Sequence, residues 1–285
     1  MRLCVGLIAV LVGCGSADAD GPVVTRFTWT EQAETFGGFS GIEVLDGGSR
    51  FLAITDRGTL WSGSFARQSG TIFGVTNVGA VRLRDRDGAP LPKERDDAEG
   101  LAVGQDGRLY VSFEGPARVL AYPAPGTTPT RLPRPEVFRQ MQRNSALESL
   151  AVDLQDRVLT LPERSGRETR PFPVYRFDGR GWSVAFELER RAPFLAVGLD
   201  VAPDGRIYLL ERDFTGIGFR SRIRRFGPDG GAEETIWQSG NAQFDNLEGL
   251  SVWEDAEGRT RLTMISDDNF RFLQTTQIVE LVLPD

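Results

Sequence analysis

The sequence of 285 residues contains no histidine. That absence excludes Ser-His-Asp and Cys-His catalysis, histidine-bound zinc and imidazole acid–base chemistry. Lysine occurs once, as Lys93, so Schiff-base or Ser-Lys chemistry has a single candidate. Positive charge is in the minority: 33 basic residues face 40 acidic ones, and the net charge of −7 argues against nucleic acid as a partner. The two cysteines, Cys4 and Cys14, both lie at the extreme N-terminus, so no disulfide staples the body of the chain. Any chemistry falls to carboxylates, arginines, hydroxyls or a bound metal.

What is present begins with an export pattern. Arg2 precedes an uncharged apolar run, Leu3 to Val12, too short to span a bilayer. The run ends in Leu11-Val12-Gly13-Cys14, which resembles the lipobox of bacterial lipoproteins and marks Cys14 for lipidation. A rival Ala17-Asp18-Ala19 cleavage pattern would instead release a soluble exported protein. Residues 1–19 are therefore read as signal and tether, and residues 20–285 as one domain. The only membrane contact expected is a lipid anchor, and a monomer is expected.

The body repeats. Gly41-Ile42-Glu43-Val44, Gly100-Leu101-Ala102-Val103, Ser149-Leu150-Ala151-Val152, Gly198-Leu199-Asp200-Val201 and Gly249-Leu250-Ser251-Val252 are each followed by a second apolar segment that begins with arginine and ends in an acid. Their spacings of 59, 49, 49 and 51 residues lie close to those of propeller blades. Asp46-Gly47, Asp106-Gly107 and Asp204-Gly205 supply tight hairpin turns. A third apolar strand and a more polar fourth complete each unit. The fold expected is an all-β propeller of four-stranded antiparallel blades. Five blades are expected, with six if Thr71 to Asp87 hides a degenerate one. The last repeat is one strand short, and Val23 to Glu31 is a strand without a repeat, so the N-terminal strand is expected to close the last blade.

Asp97-Ala98-Glu99-Gly100-Leu101-Ala102-Val103, Pro162-Glu163-Arg164 and Asn246-Leu247-Glu248-Gly249-Leu250 together resemble the bacterial phytase-like family, described as having esterase-like activity of phytase. The resemblance covers Phe39 to the C-terminus. It implies a propeller and a metal-assisted hydrolase of phosphoesters or related esters.

Carboxylates recur at two repeat positions. Glu99, Glu148 and Glu248 precede the first strand, where the other repeats carry Ser40 and Val197. Asp56, Glu114, Glu163, Glu211 and Asp267 end the second. Ring symmetry would bring such positions to one mouth of the central channel, where like charges require protons, arginines or a metal. Arg57, Arg164 and Arg212 each follow one of these acids. The catalytic candidates are Glu99, Glu163, Arg164, Glu211 and Arg212. The candidate ligands for calcium, which prefers oxygen donors, are Glu99, Glu148, Glu163, Glu211, Glu248 and Asp267. A network of purely structural Arg-carboxylate pairs is the competing reading. The segment Phe214 to Ser221 either overhangs the mouth or packs on a neighbouring blade. The functional expectation is an exported, cell-envelope hydrolase of an anionic ester, with a non-catalytic binding or scaffold propeller as the alternative.

Overall fold

A computed structural model describes residues 21–142 and 144–284. The expected signal segment and Cys14 lie outside the described residues. The chain forms twenty strands in five separate four-stranded sheets, all antiparallel. After β1 (Val23–Thr28), blade 1 contains β2 (Phe39–Leu45), β3 (Arg50–Thr55), β4 (Thr59–Gln68) and β5 (Thr71–Arg82). Blade 2 contains β6 (Ala98–Val103), β7 (Leu109–Phe113), β8 (Arg118–Tyr122) and β9 (Thr130–Arg131). Blade 3 contains β10 (Leu147–Val152), β11 (Val158–Pro162), β12 (Phe172–Phe177) and β13 (Trp182–Leu188). Blade 4 contains β14 (Leu195–Val201), β15 (Ile207–Phe214), β16 (Phe219–Phe226) and β17 (Glu234–Gln238). Blade 5 contains β18 (Asn246–Glu254), β19 (Thr260–Asp267) and β20 (Gln277–Val282), and β1 is its fourth strand.

The ring therefore has five blades. Thr71–Arg82 is the long outer strand of blade 1 and hides no sixth. β1 pairs with β20 from Val23↔Val282 to Thr28↔Gln277, so the two ends of the domain meet in one sheet, with β1 as its outer strand. Trp29, which follows β1, is 2% exposed and stacks on Phe39 while meeting Phe51 and Trp61 edge-on. Arg67 of β4 adds a bidentate pair with Glu280 of β20, both contacts at 2.7 Å. Aromatic packing and one buried ion pair thus lock blade 5 to blade 1.

Apolar residues fill the spaces between blades. Each of the five core clusters joins two neighbouring blades, and Trp29, Trp61 and Trp253 belong to the one between blades 5 and 1. The innermost strands approach so closely that glycine is required there. A Cβ on Gly249 would lie 2.8 Å from the Cα of Gly41, and one on Gly198 would lie 2.8 Å from the carbonyl oxygen of Glu248. The glycine of four blades meets this close approach at the axis, and blade 3 carries the small Ser149 in its place.

Candidate functional site

Every blade carries the same bulge. Pairing between its first two strands shifts across Phe39/Gly41, Ala98/Gly100, Leu147/Ser149, Ala196/Gly198 and Leu247/Gly249. The extra residue in each is Ser40, Glu99, Glu148, Val197 or Glu248. A bulge leaves its extra residue outside the ladder and re-aims the side chain. Three of the five side chains so re-aimed are glutamates, and they face one another across the axis.

A second tier comes from the residue just past the end of the second strand's pairing with that bulge. In blades 1, 2, 3 and 5 it is Asp56, Glu114, Glu163 and Asp267. In blade 4 it is Arg212, because Ala196 pairs with Glu211 and Leu195 with Arg212. Arg212 thus stands where the other blades carry an acid. Its Nη2 donates to Glu163 Oε1 at 3.2 Å, and its Nη1 donates to Asn246 Oδ1 at 2.7 Å and to Glu248 Oε1. One guanidinium ties blades 3, 4 and 5 together at the mouth.

This register moves one expected site residue elsewhere. Glu211 is fully buried inside blade 4, where its carboxylate accepts from Arg222 Nε at 2.8 Å and from Arg224 Nη2 at 2.7 Å. It is a sheet-internal ion pair, and neither a ligand nor a catalytic role at the mouth fits it. Glu99, Glu148, Glu163, Glu248, Asp267 and Arg212 do converge. Arg164 sits beside them, half exposed, with Nε 3.1 Å from Glu163 Oε2.

The mouth holds far more negative than positive charge, and the acids respond by retaining protons. Burial, and then the neighbouring carboxylates of Glu148, Asp97 and Glu248, push Glu99 well above the usual range. Burial also raises Glu148 strongly. Glu148 shares a hydrogen bond with Glu114, which two carboxyl groups sustain only with a proton between them. Asp56 is raised to about 7 and Asp267 to about 8, chiefly by burial and then, for Asp267, by the charge of Glu248. Arg212 relieves Glu163 and Glu248, but among the described residues no arginine bonds the acids on the blade 2 side. There Asp97, Glu99 and Glu114 each offer an oxygen within 4.8 Å of the others. Three carboxylates to which no arginine among the described residues is bonded form a hard, all-oxygen donor set of the kind calcium takes. The residues present fit a divalent cation at this point. Asp97 and Glu114 complete it, and neither was among the expected ligands. Asp268 is committed elsewhere, accepting from the amides of Gly38 and Phe270 and from Thr276 Oγ1.

A cleft of about 940 Å³ opens beside the mouth. Glu163 and Arg212 are shared between the two, and Arg26, Arg164, Arg190 and Arg271 bring the arginines lining the cleft to five. Arg190 has two guanidinium nitrogens, Nε and Nη1, buried without a partner. The tip of the β15–β16 hairpin overhangs this space. Phe214 and Ile217 stand 61% and 85% exposed on its wall.

Solved structures share the fold at low identity. Two structures of an exo-β-1,3-galactanase from Phanerochaete chrysosporium align over 93% of this chain and 65% of theirs, at 11% identity. Their TM-scores are 0.57 with β-1,3-galactotriose and 0.55 with galactose. A Bacteroides thetaiotaomicron protein of unknown function aligns over 86% of this chain and 59% of its own, at 16% identity and a TM-score of 0.49. The chain thus spans under two thirds of the length of these relatives. No curated protein matches the sequence. Residues 34–270 match the family described as Phytase-like, "Esterase-like activity of phytase". That span includes every bulge, both tiers of mouth residues and most of the cleft, and the chain belongs to the Phytase-like family.

Proposed function

We propose that the channel mouth is the active site of a metal-assisted hydrolase of an anionic ester, with phosphoesters as the leading substrate class and calcium as the metal. One observation carries this reading. A carboxyl cluster short of counter-charge adjoins, through Glu163 and Arg212, a cleft lined by five arginines. The first environment suits a cation and the second an anion, as hydrolysis of a charged ester requires.

A divalent cation bound at Asp97, Glu99 and Glu114 would supply Lewis acidity toward the ester oxygen and a more acidic water. The chain's own residues do the rest. Arg164, Arg190 and Arg212 hold the anionic oxygens, and a bound anion gives the unpartnered nitrogens of Arg190 their acceptors. Glu163, on the cleft wall, accepts a proton from the attacking water. Glu148, which keeps its proton because of burial and its bond to Glu114, donates to the leaving oxygen. The export pattern in residues 1–19 would set this chemistry in the cell envelope, free or tethered through Cys14.

The test is a turnover screen of the mature chain on phosphomonoesters, phosphodiesters and carboxyl esters, with calcium or with chelator. A β-1,3-galactoside completes the panel because the galactanase shares the fold. Calcium-dependent ester cleavage, lowered about a hundredfold or more in Glu163→Gln, is the expected result. No turnover on any substrate would leave a binding or scaffold propeller instead.

A further inference from the structure

Away from the channel, between blades 1 and 2, lies a smaller cavity of about 110 Å³. Its walls come from the loop after β5, the first residue of β8 and the end of β9. They carry Arg86, Arg95, Arg118 and Arg131, along with Asp85 and Asp87. Arg118 is only 2% exposed. Its Nη1 donates to the carbonyl oxygen of Pro116 at 3.0 Å and its Nη2 to that of Arg95, and its guanidinium lies 4.1 Å from the centre of the Phe113 ring. None of these partners carries a negative charge.

The other arginines are no better compensated. Among the described residues, the ion pairs in this stretch are Arg82–Asp96, Arg108–Asp106 and Arg139–Glu136, and none involves the four cavity arginines. Asp85 does not serve as their counter-ion at bonding distance. Its Oδ1 accepts the amides of Asp87 and Ala89 and holds the turn. Burial and, after it, neighbouring guanidinium groups both disfavour charge on these arginines. Arg118 is held down to about 10, first by burial and then by Arg95, and Arg131 is lowered by burial and then by Arg134 and Arg95. In a chain of net charge −7, four arginines against two aspartates around one small cavity leave a local excess of positive charge.

We propose that this cavity is a second anion site, separate from the cleft, that takes a tetrahedral phosphate group. Planar guanidinium forks match phosphate oxygens in pairs, and several of them around a cavity this small leave room for a single oxyanion. Free phosphate and the terminal group of a phosphomonoester share that chemistry. The proposal does not depend on the hydrolase reading, because none of the cavity residues lines the cleft or holds the proposed cation.

The test is calorimetric titration with inorganic phosphate, and with glycerol phosphate, against chloride at matched ionic strength. An Arg164→Gln/Arg271→Gln background weakens phosphate binding in the cleft. In that background phosphate still binds, and adding Arg95→Gln and Arg131→Gln weakens it at least about tenfold. Both of those side chains are exposed, and removing them relieves repulsion, so the phosphate-free melting temperature holds or rises and confirms the fold. Equal affinity for the two ligands identifies a monoester-competent site, and at least tenfold weaker glycerol phosphate binding identifies a site for the free ion. Unchanged affinity in the Arg95/Arg131 variant, or an equal response to chloride, overturns the proposal.

Discussion

Arg212 on blade 4 reaches across to Glu163 on blade 3, with 3.2 Å between nitrogen and oxygen, at the position where four other blades present an acid. It is the only guanidinium bonded to Glu248 among the described residues, and it also bonds Glu163. Replacing it by leucine leaves Glu248 with only the Asn246 amide and Glu163 with only the half-exposed Arg164 as partners. Arg212→Leu is expected to cost about 3–5 kcal/mol of stability at neutral pH, as loss of one member of a buried pair does. The loss should shrink toward acid pH, where the stranded Glu248, already raised by burial, takes up a proton. Urea unfolding at pH 5 and pH 8 measures both.

The acids of the mouth predict an inverted pH profile for the metal-free protein. Asp56 and Asp267 have folded-state values of about 7 and about 8, above their ordinary 3.8, and Glu99 and Glu148 are raised in the same direction. The folded state therefore holds more protons than the unfolded chain at intermediate pH. By linkage, stability is fully present below the unfolded values near 4 and falls as pH rises through 7 and 8. With chelator, the melting temperature should drop between pH 5 and pH 8.5. Calcium should restore it most at the alkaline end, where carboxylates are free to bind. A melting temperature that is flat or rising with pH in chelator would contradict the charge distribution described for the mouth.

Much of the ring is readable in the residues themselves. The Gly-Leu-x-Val starts, the Asp-Gly turns and the orphan strand Val23–Thr28 each impose a local requirement that only a closed five-bladed ring satisfies together. The site is less legible, and Glu211 shows why. Leu-Leu-Glu-Arg in blade 4 aligns by residue type with the acid-ended strands of other blades, yet the bulge register puts Arg212 at the mouth. Position relative to the hairpin holds the signal that residue type hides. Glu114, Glu163 and Arg212 each lie seven residues after the left-handed turn residue, Gly107, Asp156 or Gly205. Arg190 and Arg271 of the cleft sit in loops outside the repeated strands, so periodicity has nothing to say about them.

Anchoring is tested independently of chemistry. If the Leu11-Val12-Gly13-Cys14 pattern operates, Cys14→Ser moves the protein from the membrane fraction to the soluble fraction. Unchanged fractionation would instead favour cleavage at Ala17-Asp18-Ala19 or no anchor at all.

The closing strand carries its own prediction. Trp29 is almost fully buried against Phe39, Phe51 and Trp61, where blade 5 meets blade 1. Trp29→Ala empties that seam and should cost about 3–5 kcal/mol. Limited proteolysis should then cut first near the N-terminus, because β1 loses the packing that holds it on β20.

Glu211 and Glu99 both stand at recurring acidic positions of the repeat but in opposite electrostatic surroundings, so the same substitution should act on them in opposite ways. Glu211→Gln removes the negative charge between Arg222 and Arg224, leaving two buried cations repelling each other inside a sheet. A loss of about 3–5 kcal/mol follows, with the calcium response of the folded fraction retained. Glu99→Gln removes a charge from a cluster that already has too many. In chelator at pH 8 it should leave stability unchanged or increase it, while the calcium-induced rise in melting temperature falls. Thermal unfolding of the two variants, with and without calcium, separates the roles. If Glu99→Gln destabilised the ring as Glu211→Gln does, the mouth acids would be structural, and the proposed cation would have no place there.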